Sequence, residues 1–321
     1  MVDEGEMIAF GPVPSRRLGH SLGINNIPPK ICTYSCIYCQ LGRTPDLQVE
    51  RKEFHKPKEI KQAVDKKIKE AKVRKEIIDY LTFVPDGEPT LDINLGKEIE
   101  ILKSLNIRFA VITNASLLWR KDIQADLSKA DCVSLKIDAV NEKIWRKINR
   151  PHKSLNFDKV LSGLTEFSLD FYGELITETM LIKNINDNTQ ELEKIADFIE
   201  ELNPKKSYIS IPTRPPAEKW ATPADEFDIN MAYQFLEERG IKAEFLTGYE
   251  GNAFAFTGDV EKDILSITSV HPMRQDGVKE FLSKAKTDWD IIKDLIKEDK
   301  LVEVKYKNKK FYVRKLPIKN N

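Results

Sequence analysis

Lys30-Ile-Cys-Thr-Tyr-Ser-Cys-Ile-Tyr-Cys-Gln40 places three cysteines, Cys32, Cys36 and Cys39, within eight residues. Iron–sulfur clusters are normally held by four thiolates, one per iron. Three thiolates at this spacing can hold three corners of a cubane and leave the fourth iron open, where a small molecule can coordinate. A structural zinc site would instead need a fourth cysteine or histidine, usually in a second paired knuckle. His20 and His55 lie nearby in sequence but form no knuckle pattern, and the spacing gives a disulfide little support. The remaining cysteine, Cys132, sits in Ala130-Asp-Cys-Val-Ser-Leu-Lys-Ile137, which reads as a strand interior. A small buried hydrophobe is its expected role.

Outward from the cysteines, the chain alternates between helical periods and continuous apolar runs. Residues 58–72 carry Ile60, Val64 and Ile68 on one face with charge elsewhere, an amphipathic helix. Strands are expected near 21–25, then at 76–84, 107–113, 132–137, 174–182, 207–211 and 242–246. Helices are expected at 92–105, 119–127, 141–149, 156–168, 188–202 and 225–239. Strands separated by helices of this length pair in parallel through right-handed crossovers. About six such units make either a doubly wound sheet or a partial barrel, and the pattern alone does not choose. In both architectures the functional loops lie beyond the carboxyl ends of the strands, where the cysteine loop falls.

Beyond about residue 255 the texture changes. Two short amphipathic helices, 276–285 and 288–297, precede strands 301–306 and 311–315 around a Lys-Asn-Lys-Lys turn, a hairpin pattern. The expected division is a body over 1–252 and a small winged-helix-like domain over 253–321. The hairpin is basic: Lys300, Lys305, Lys307, Lys309, Lys310, Arg314, Lys315 and Lys319 face only Glu303. Such a wing could track a phosphate backbone, or it could be a solvated lysine-rich surface.

Composition narrows the class. Basic and acidic residues balance at 51 each, so the whole chain has no electrostatic bias towards nucleic acid or membrane. A hydrophobic fraction of 41% and 15 phenylalanines fit a folded globular protein. No apolar run approaches bilayer length, and the acidic start lacks the basic and greasy segments of a secretory signal. Four cysteines, three of them crowded together, suit a reducing compartment, so a cytoplasmic protein without membrane association is expected.

Other motifs end the predicted strands. Val84-Pro-Asp-Gly-Glu-Pro-Thr-Leu91 follows the cysteines by about fifty residues. Alone, Asp-Gly-Glu-Pro reads as an ordinary turn. Asn114, in Ile112-Thr-Asn-Ala-Ser116, either points into a site or caps the next helix. In Ser134-Leu-Lys-Ile-Asp-Ala139, alternation puts Ser134, Lys136 and Asp138 on one face, as a polar lining or as a Lys136–Asp138 pair. Thr213 and Arg214, in Ile209-Ser-Ile-Pro-Thr-Arg-Pro-Pro216, are site candidates or part of a proline-rich loop. There is no glycine-rich nucleotide fingerprint to support NAD or ATP.

The Cys-x3-Cys-x2-Cys loop, with Tyr38 before its third cysteine, resembles the signature of the radical S-adenosylmethionine (SAM) superfamily. Gly11-Pro-Val-Pro-Ser-Arg-Arg-Leu-Gly-His-Ser-Leu-Gly-Ile-Asn25, Lys147-Ile-Asn-Arg-Pro151 and Val270-His-Pro-Met-Arg274 are similar to a group of Fe–S oxidoreductases near the wybutosine-synthesising enzymes. The resemblance spans most of the chain. It implies a partial (β/α)6 barrel and a 4Fe–4S cluster on Cys32, Cys36 and Cys39, with S-adenosylmethionine chelating the fourth iron. Tyr38, Gly87, Glu88 and Pro89 would position that cofactor, and Asn114, Ser134 and Asp138 would approach it.

The implied chemistry is reductive cleavage of SAM to methionine and a 5′-deoxyadenosyl radical, which takes hydrogen from a substrate. A flavodoxin or ferredoxin would supply the electron. Peptide, RNA base and small metabolite stay open as substrates, and a tRNA docked by the basic wing is one version. No second cysteine cluster or flavodoxin-like domain is present, so a two-cluster mechanism is not expected. The alternative is an iron–sulfur or zinc nucleic-acid-binding regulator without SAM cleavage, for which a six-unit body is larger than needed.

Overall fold

The strands of the body lie side by side in the order in which the chain makes them. The computed structural model describes residues 8–84, 86–246, 259–270, 272–306 and 309–315. The acidic residues 1–7, Pro85, the boundary at 252, His271, Lys307 and Lys319 lie outside the described residues. Strands β1 (Ala9–Ser15) and β2 (Gly19–Ile24) form an antiparallel hairpin. Parallel to β2 follow β3 (Tyr80–Phe83), β4 (Arg108–Thr113), β5 (Cys132–Lys136), β6 (Glu174–Met180), β7 (Lys206–Ser210) and β8 (Ala243–Leu246). The sheet order is β1 to β8 without reversal. A doubly wound sheet reverses at a switch point; this one does not, which decides for the partial barrel.

Helices fill the parallel crossovers: α1 (Pro57–Val73), α2 (Leu95–Leu102), α3 (Lys121–Leu127), α4 (Glu142–Asn149), α5 (Phe157–Asp170), α6 (Thr189–Leu202) and α7 (Glu226–Glu238). Asn141, Asn156 and Asn188 each cap a helix by accepting a backbone N–H three residues on. Strand alternation divides the two faces. Outward residues such as Phe83, Val111, Val133 and Leu135 join helix residues such as Ile60, Ile99 and Ile195 in the main core. Inward, Tyr80, Ala110, Cys132, Ile176 and Tyr208 pack on one another and on Leu18 from the hairpin turn. That contact across five strands requires a curled sheet, and it forms the floor of the barrel. Cys132 is thus a floor residue, as its strand context suggested.

Two differences from the sequence reading have simple causes. Strand β1 was not expected, because Pro12 and Pro14 discourage a strand; an edge strand tolerates them since one side needs no donors. Strand β3 starts at Tyr80 rather than 76, since the turn before it is set by Lys75 at positive φ.

The C-terminal part has its own core. Helices α8 (Val260–Val270), α9 (Gln275–Lys284) and α10 (Asp290–Lys297) pack with a sheet ordered β10 (Leu301–Tyr306), β11 (Lys309–Arg314), β9 (Met273–Arg274). Leu265, Met273, Phe281, Ile292, Leu301 and Tyr312 form that core, and Val13 of β1 packs against it. Tyr306 Oη donates to the Pro212 carbonyl at 3.0 Å, tying the hairpin to the loop after β7. The hairpin's basic residues face more acids than Glu303. Lys310 pairs with Glu303 at 2.8 Å, Lys300 with Glu261 at 2.6 Å and Glu298 at 2.7 Å, and Lys315 with Asp299.

Behind the Gly87–Leu91 segment, Asp92 and Glu98 are fully buried. One Asp92 oxygen accepts the Asn94 N–H at 2.8 Å, and the Asp92 and Glu98 carboxyls face one another beside Asn26. Burial raises both carboxyls, and the Asp92 charge raises Glu98 further, so the pair keeps a proton that the unfolded chain gives up. The sign follows: the folded state binds more protons than the unfolded state above the ordinary carboxylate range, so this pair costs stability as pH rises through neutrality. Glu98→Gln is expected to match wild type near about pH 5 and to exceed it by roughly 1–3 kcal/mol near about pH 8.5. Urea unfolding at the two pH values checks this; equal stability at both would remove the shared proton.

Candidate metal and cofactor site

The cysteine loop leaves β2 at the carboxyl end of the sheet, and α4 clamps it there. Ser35 N–H donates to the Asn149 carbonyl at 3.0 Å and Ile37 N–H to the Ile148 carbonyl at 2.9 Å. Trp145 Nε1 donates to Tyr34 Oη at 2.9 Å, with the two rings edge to face. A second tie comes from buried Glu218, which accepts Arg43 Nε at 2.7 Å and Arg150 Nη1 at 2.5 Å. Those two hydrogen-bonded guanidiniums hold its carboxyl down at about 2. The loop is fixed by protein contacts before any metal is considered.

All three cysteines line a cavity of about 400 Å³, together with Tyr38, Asp86 and Gly87. That volume lies in the range of small-molecule sites. Burial raises the thiols of Cys32 and Cys36, so thiolates form there when a metal supplies compensating charge. Among the described residues no three metal-ligating side chains converge on one point, as a mononuclear site requires. A cubane asks for no such convergence, because each iron takes its own thiolate. The donor set fits a cluster better than a zinc ion.

The segment after β3 divides its two carboxylates between different tasks. Glu88 is buried and fully occupied: it accepts Thr90 N–H at 3.1 Å, Thr90 Oγ1 at 2.7 Å, Thr113 Oγ1 at 2.6 Å and Asn114 N–H at 2.7 Å. Its carboxylate therefore staples the ends of β3 and β4. Asp86 is 3% exposed, and neither of its oxygens has a hydrogen-bond partner. Burial pushes its carboxyl up to about 8, against the pull of Arg314 and Lys30. An orphaned acceptor in a cavity wall suits an incoming ammonium. Gly87 supplies the close approach: a Cβ there would lie 1.9 Å from the Ile31 carbonyl oxygen. Pro89 opens a short 3₁₀ turn, and its carbonyl accepts Asn26 Nδ2 at 3.2 Å.

The other expected residues are spread more widely. Tyr38 Oη donates to Asp138 Oδ2, and Asp138 also accepts Asn149 Nδ2 at 2.8 Å and the Met180 N–H at 2.9 Å. Asn114 donates to Thr33 Oγ1 at 2.8 Å and towards Cys32 Sγ at 3.6 Å. Ser134 is buried on the inner face of β5, below the loop. Lys136 does not pair with Asp138; its ammonium lies 2.6 Å from Glu178 Oε1 and over the Tyr38 ring. Glu178 also accepts Arg17 and Ser210 Oγ, forming a polar layer above the apolar floor. Arg214 donates to Gln40 Oε1 at 2.8 Å, and Thr213 lines the cavity.

Asp86, Asn149, Arg17 and Glu178 were not singled out from sequence. For Asn149 a signal existed, since it lies in Lys147-Ile-Asn-Arg-Pro151. For Glu178 alternation along β6 was available, because Ile176 and Glu178 share the inner face.

Comparison with known proteins agrees with this geometry. Residues 26–199 match the model of the Radical SAM superfamily. A UPF0026 protein of Methanocaldococcus jannaschii is 50% identical over 311 residues, 96% of each chain. Among solved structures, TYW1 with a lysine–pyruvate adduct bound superposes with a TM-score of 0.53 at 18% identity, covering 68% of this chain and 73% of that one. A radical SAM methyltransferase from Sphaerobacter thermophilus gives 0.52 at 16% identity, covering 71% and 66%. At these identities the structural likeness concerns the fold.

Proposed function

Because this chain belongs to the radical SAM superfamily, we propose that it is an enzyme that cleaves S-adenosylmethionine reductively at a 4Fe–4S cluster and takes hydrogen from a substrate. The observation that carries the reading is one cavity wall holding three clamped cysteines beside an orphaned carboxyl and a glycine that admits no Cβ. Cys32, Cys36 and Cys39 would hold the cluster, leaving one iron for the amino and carboxylate groups of SAM. When bound, the cluster supplies the electron that breaks the sulfonium into methionine and 5′-deoxyadenosyl, the hydrogen acceptor.

The protein's own share is placement. Asp86 would accept an N–H of that amino group, its carboxyl giving up its proton as the missing donor arrives. Gly87 lets this segment pack directly on the Ile31 carbonyl beside Cys32, so the carboxylate-bearing wall and the cysteine loop meet without a side chain between them. Glu88, engaged by four donors, keeps this segment in register with β4 instead of binding the cofactor. Tyr38 and Asp138 brace the third cysteine's approach, and the apolar floor closes the cavity below. A flavodoxin or ferredoxin belongs to the proposal as the electron donor, since no second cluster motif is present in the sequence.

RNA docking by the basic hairpin is not carried into this proposal. Lys300, Lys310 and Lys315 already have carboxylate partners, which reduces the positive field a phosphate backbone would meet. Among the described residues no helix is long and apolar enough to cross a membrane.

Anaerobic reconstitution tests the function directly. The full chain is expected to bind about four irons and, with dithionite and SAM, to release 5′-deoxyadenosine. Iron binding without any deoxyadenosine would point instead to the regulator reading.

A further inference from the structure

We infer that Asn114 and Asn149 set the reduction potential of the cluster, each by directing a side-chain amide N–H at the sulfur of one ligand. The inference rests on the cluster reading of the cysteine loop. Asn114 Nδ2 lies 3.6 Å from Cys32 Sγ, and Asn149 Nδ2 lies 3.5 Å from Cys36 Sγ. The two amides come from separate places in the chain, the residue that follows β4 and the last residue of α4.

The orientation of each amide is fixed by its other bonds. Asn114 Oδ1 accepts the Ser116 N–H at 3.0 Å, so its NH2 end must face Thr33 and the sulfur. Asn149 Nδ2 lies 2.8 Å from Asp138 Oδ2, which also accepts from Tyr38. Asp138 accepts from Tyr38 Oη and from the Met180 N–H, so a flipped Asn149 would set oxygen against oxygen. Neither residue can turn its acceptor towards the cysteine without losing a bond.

Reduction adds negative charge that the thiolate sulfurs share, so an N–H aimed at sulfur stabilises the reduced state more than the oxidised one. Asn149 has a second effect. Asp138 and Cys36 are like charges in a buried setting, and the Asn149 amide donates to both. Without it, the carboxylate field would oppose the added electron unscreened. Both asparagines are therefore positioning residues that make the cluster easier to reduce by a biological donor.

The test uses full-length wild type, Asn114→Leu, Asn149→Leu and the double variant, reconstituted without oxygen and titrated by electron paramagnetic resonance without SAM or substrate. All are expected to hold about four irons, with the midpoint moving to more negative potential in each single variant and further in the double. Unchanged midpoints at full iron content would overturn the inference, whereas absence of iron from wild type would overturn the cluster reading itself. If a leucine variant cannot hold its cluster, hyperfine spectroscopy of reduced wild type with heavy nitrogen only in asparagine reads the contact directly. Coupling from an asparagine amide to the cluster spin supports the assignment, and its absence overturns it.

Discussion

Cys36→Ala is expected to abolish 5′-deoxyadenosine formation and to lower the iron content below that of wild type. Each iron of a cubane needs its own ligand, so removal of one thiolate exposes a second corner and makes the cluster labile. The fold should survive, because the loop is held without the sulfur: Ser35 and Ile37 still donate to α4, and Glu218 still bridges Arg43 and Arg150. A small side chain lost from a half-buried site costs roughly 1 kcal/mol. Inactivity in a folded chain is therefore the predicted phenotype. Cys132→Ala is the matched control, since that thiol packs in the barrel floor with Leu18, Tyr80 and Tyr208. It should keep iron and turnover at a similar small stability cost. Iron analysis, deoxyadenosine quantification and thermal unfolding of both variants distinguish the outcomes. Full iron and wild-type turnover in Cys36→Ala would end the proposed chemistry.

The contrast between these two cysteines shows what the sequence could reveal. Spacing alone separated the ligand loop from Cys132, because both readings depend on neighbours within a few residues. The parallel units were legible for the same reason: period and length are local properties. Strand order was not, and it was the absence of a reversal between β2 and β8 that chose the barrel.

Side-chain partnerships across the barrel were the least legible. Lys136 and Asp138 share a face, which suggested a pair, yet the register of the neighbouring strand sets Glu178 beside Lys136 and leaves Asp138 to Tyr38 and Asn149. The same effect separates Asp86 from Glu88. From sequence the motif pointed to Glu88 and passed over Asp86; only the arrival of Thr113 and the Asn114 backbone shows that Glu88 is already satisfied.

Gly87→Ala is expected to weaken SAM binding by at least roughly tenfold, about 1.4 kcal/mol, while most of the iron is retained. An ideal Cβ at residue 87 would stand 1.9 Å from the Ile31 carbonyl oxygen and 2.8 Å from its carbon. Both are backbone atoms, so no rotamer change relieves the overlap. Either Ile31 retreats, dragging Cys32 after it, or the Asp86–Glu88 segment swings away. Both movements break the Glu88 N–H bond to the Ile31 carbonyl, now 2.9 Å. Overpacking of this kind costs roughly 1–3 kcal/mol, and the lost bond adds about 1 kcal/mol.

Glu88 is pinned by four donors, so the less constrained side of the clash is the Asp86–Gly87 backbone, the part that faces the cavity. The cysteines keep their anchors on α4, which is why iron should largely remain while the cofactor is lost. Gly240→Ala separates this from loss of stability alone. Gly240, at the end of α7, has φ +73, and a Cβ added there would meet nothing within 4 Å. Its alanine variant should lose about 1 kcal/mol from left-handed strain and bind SAM normally. Equilibrium dialysis with SAM, iron analysis and thermal midpoints on both variants make the comparison. Wild-type affinity in a destabilised Gly87→Ala chain would detach this segment from the cofactor.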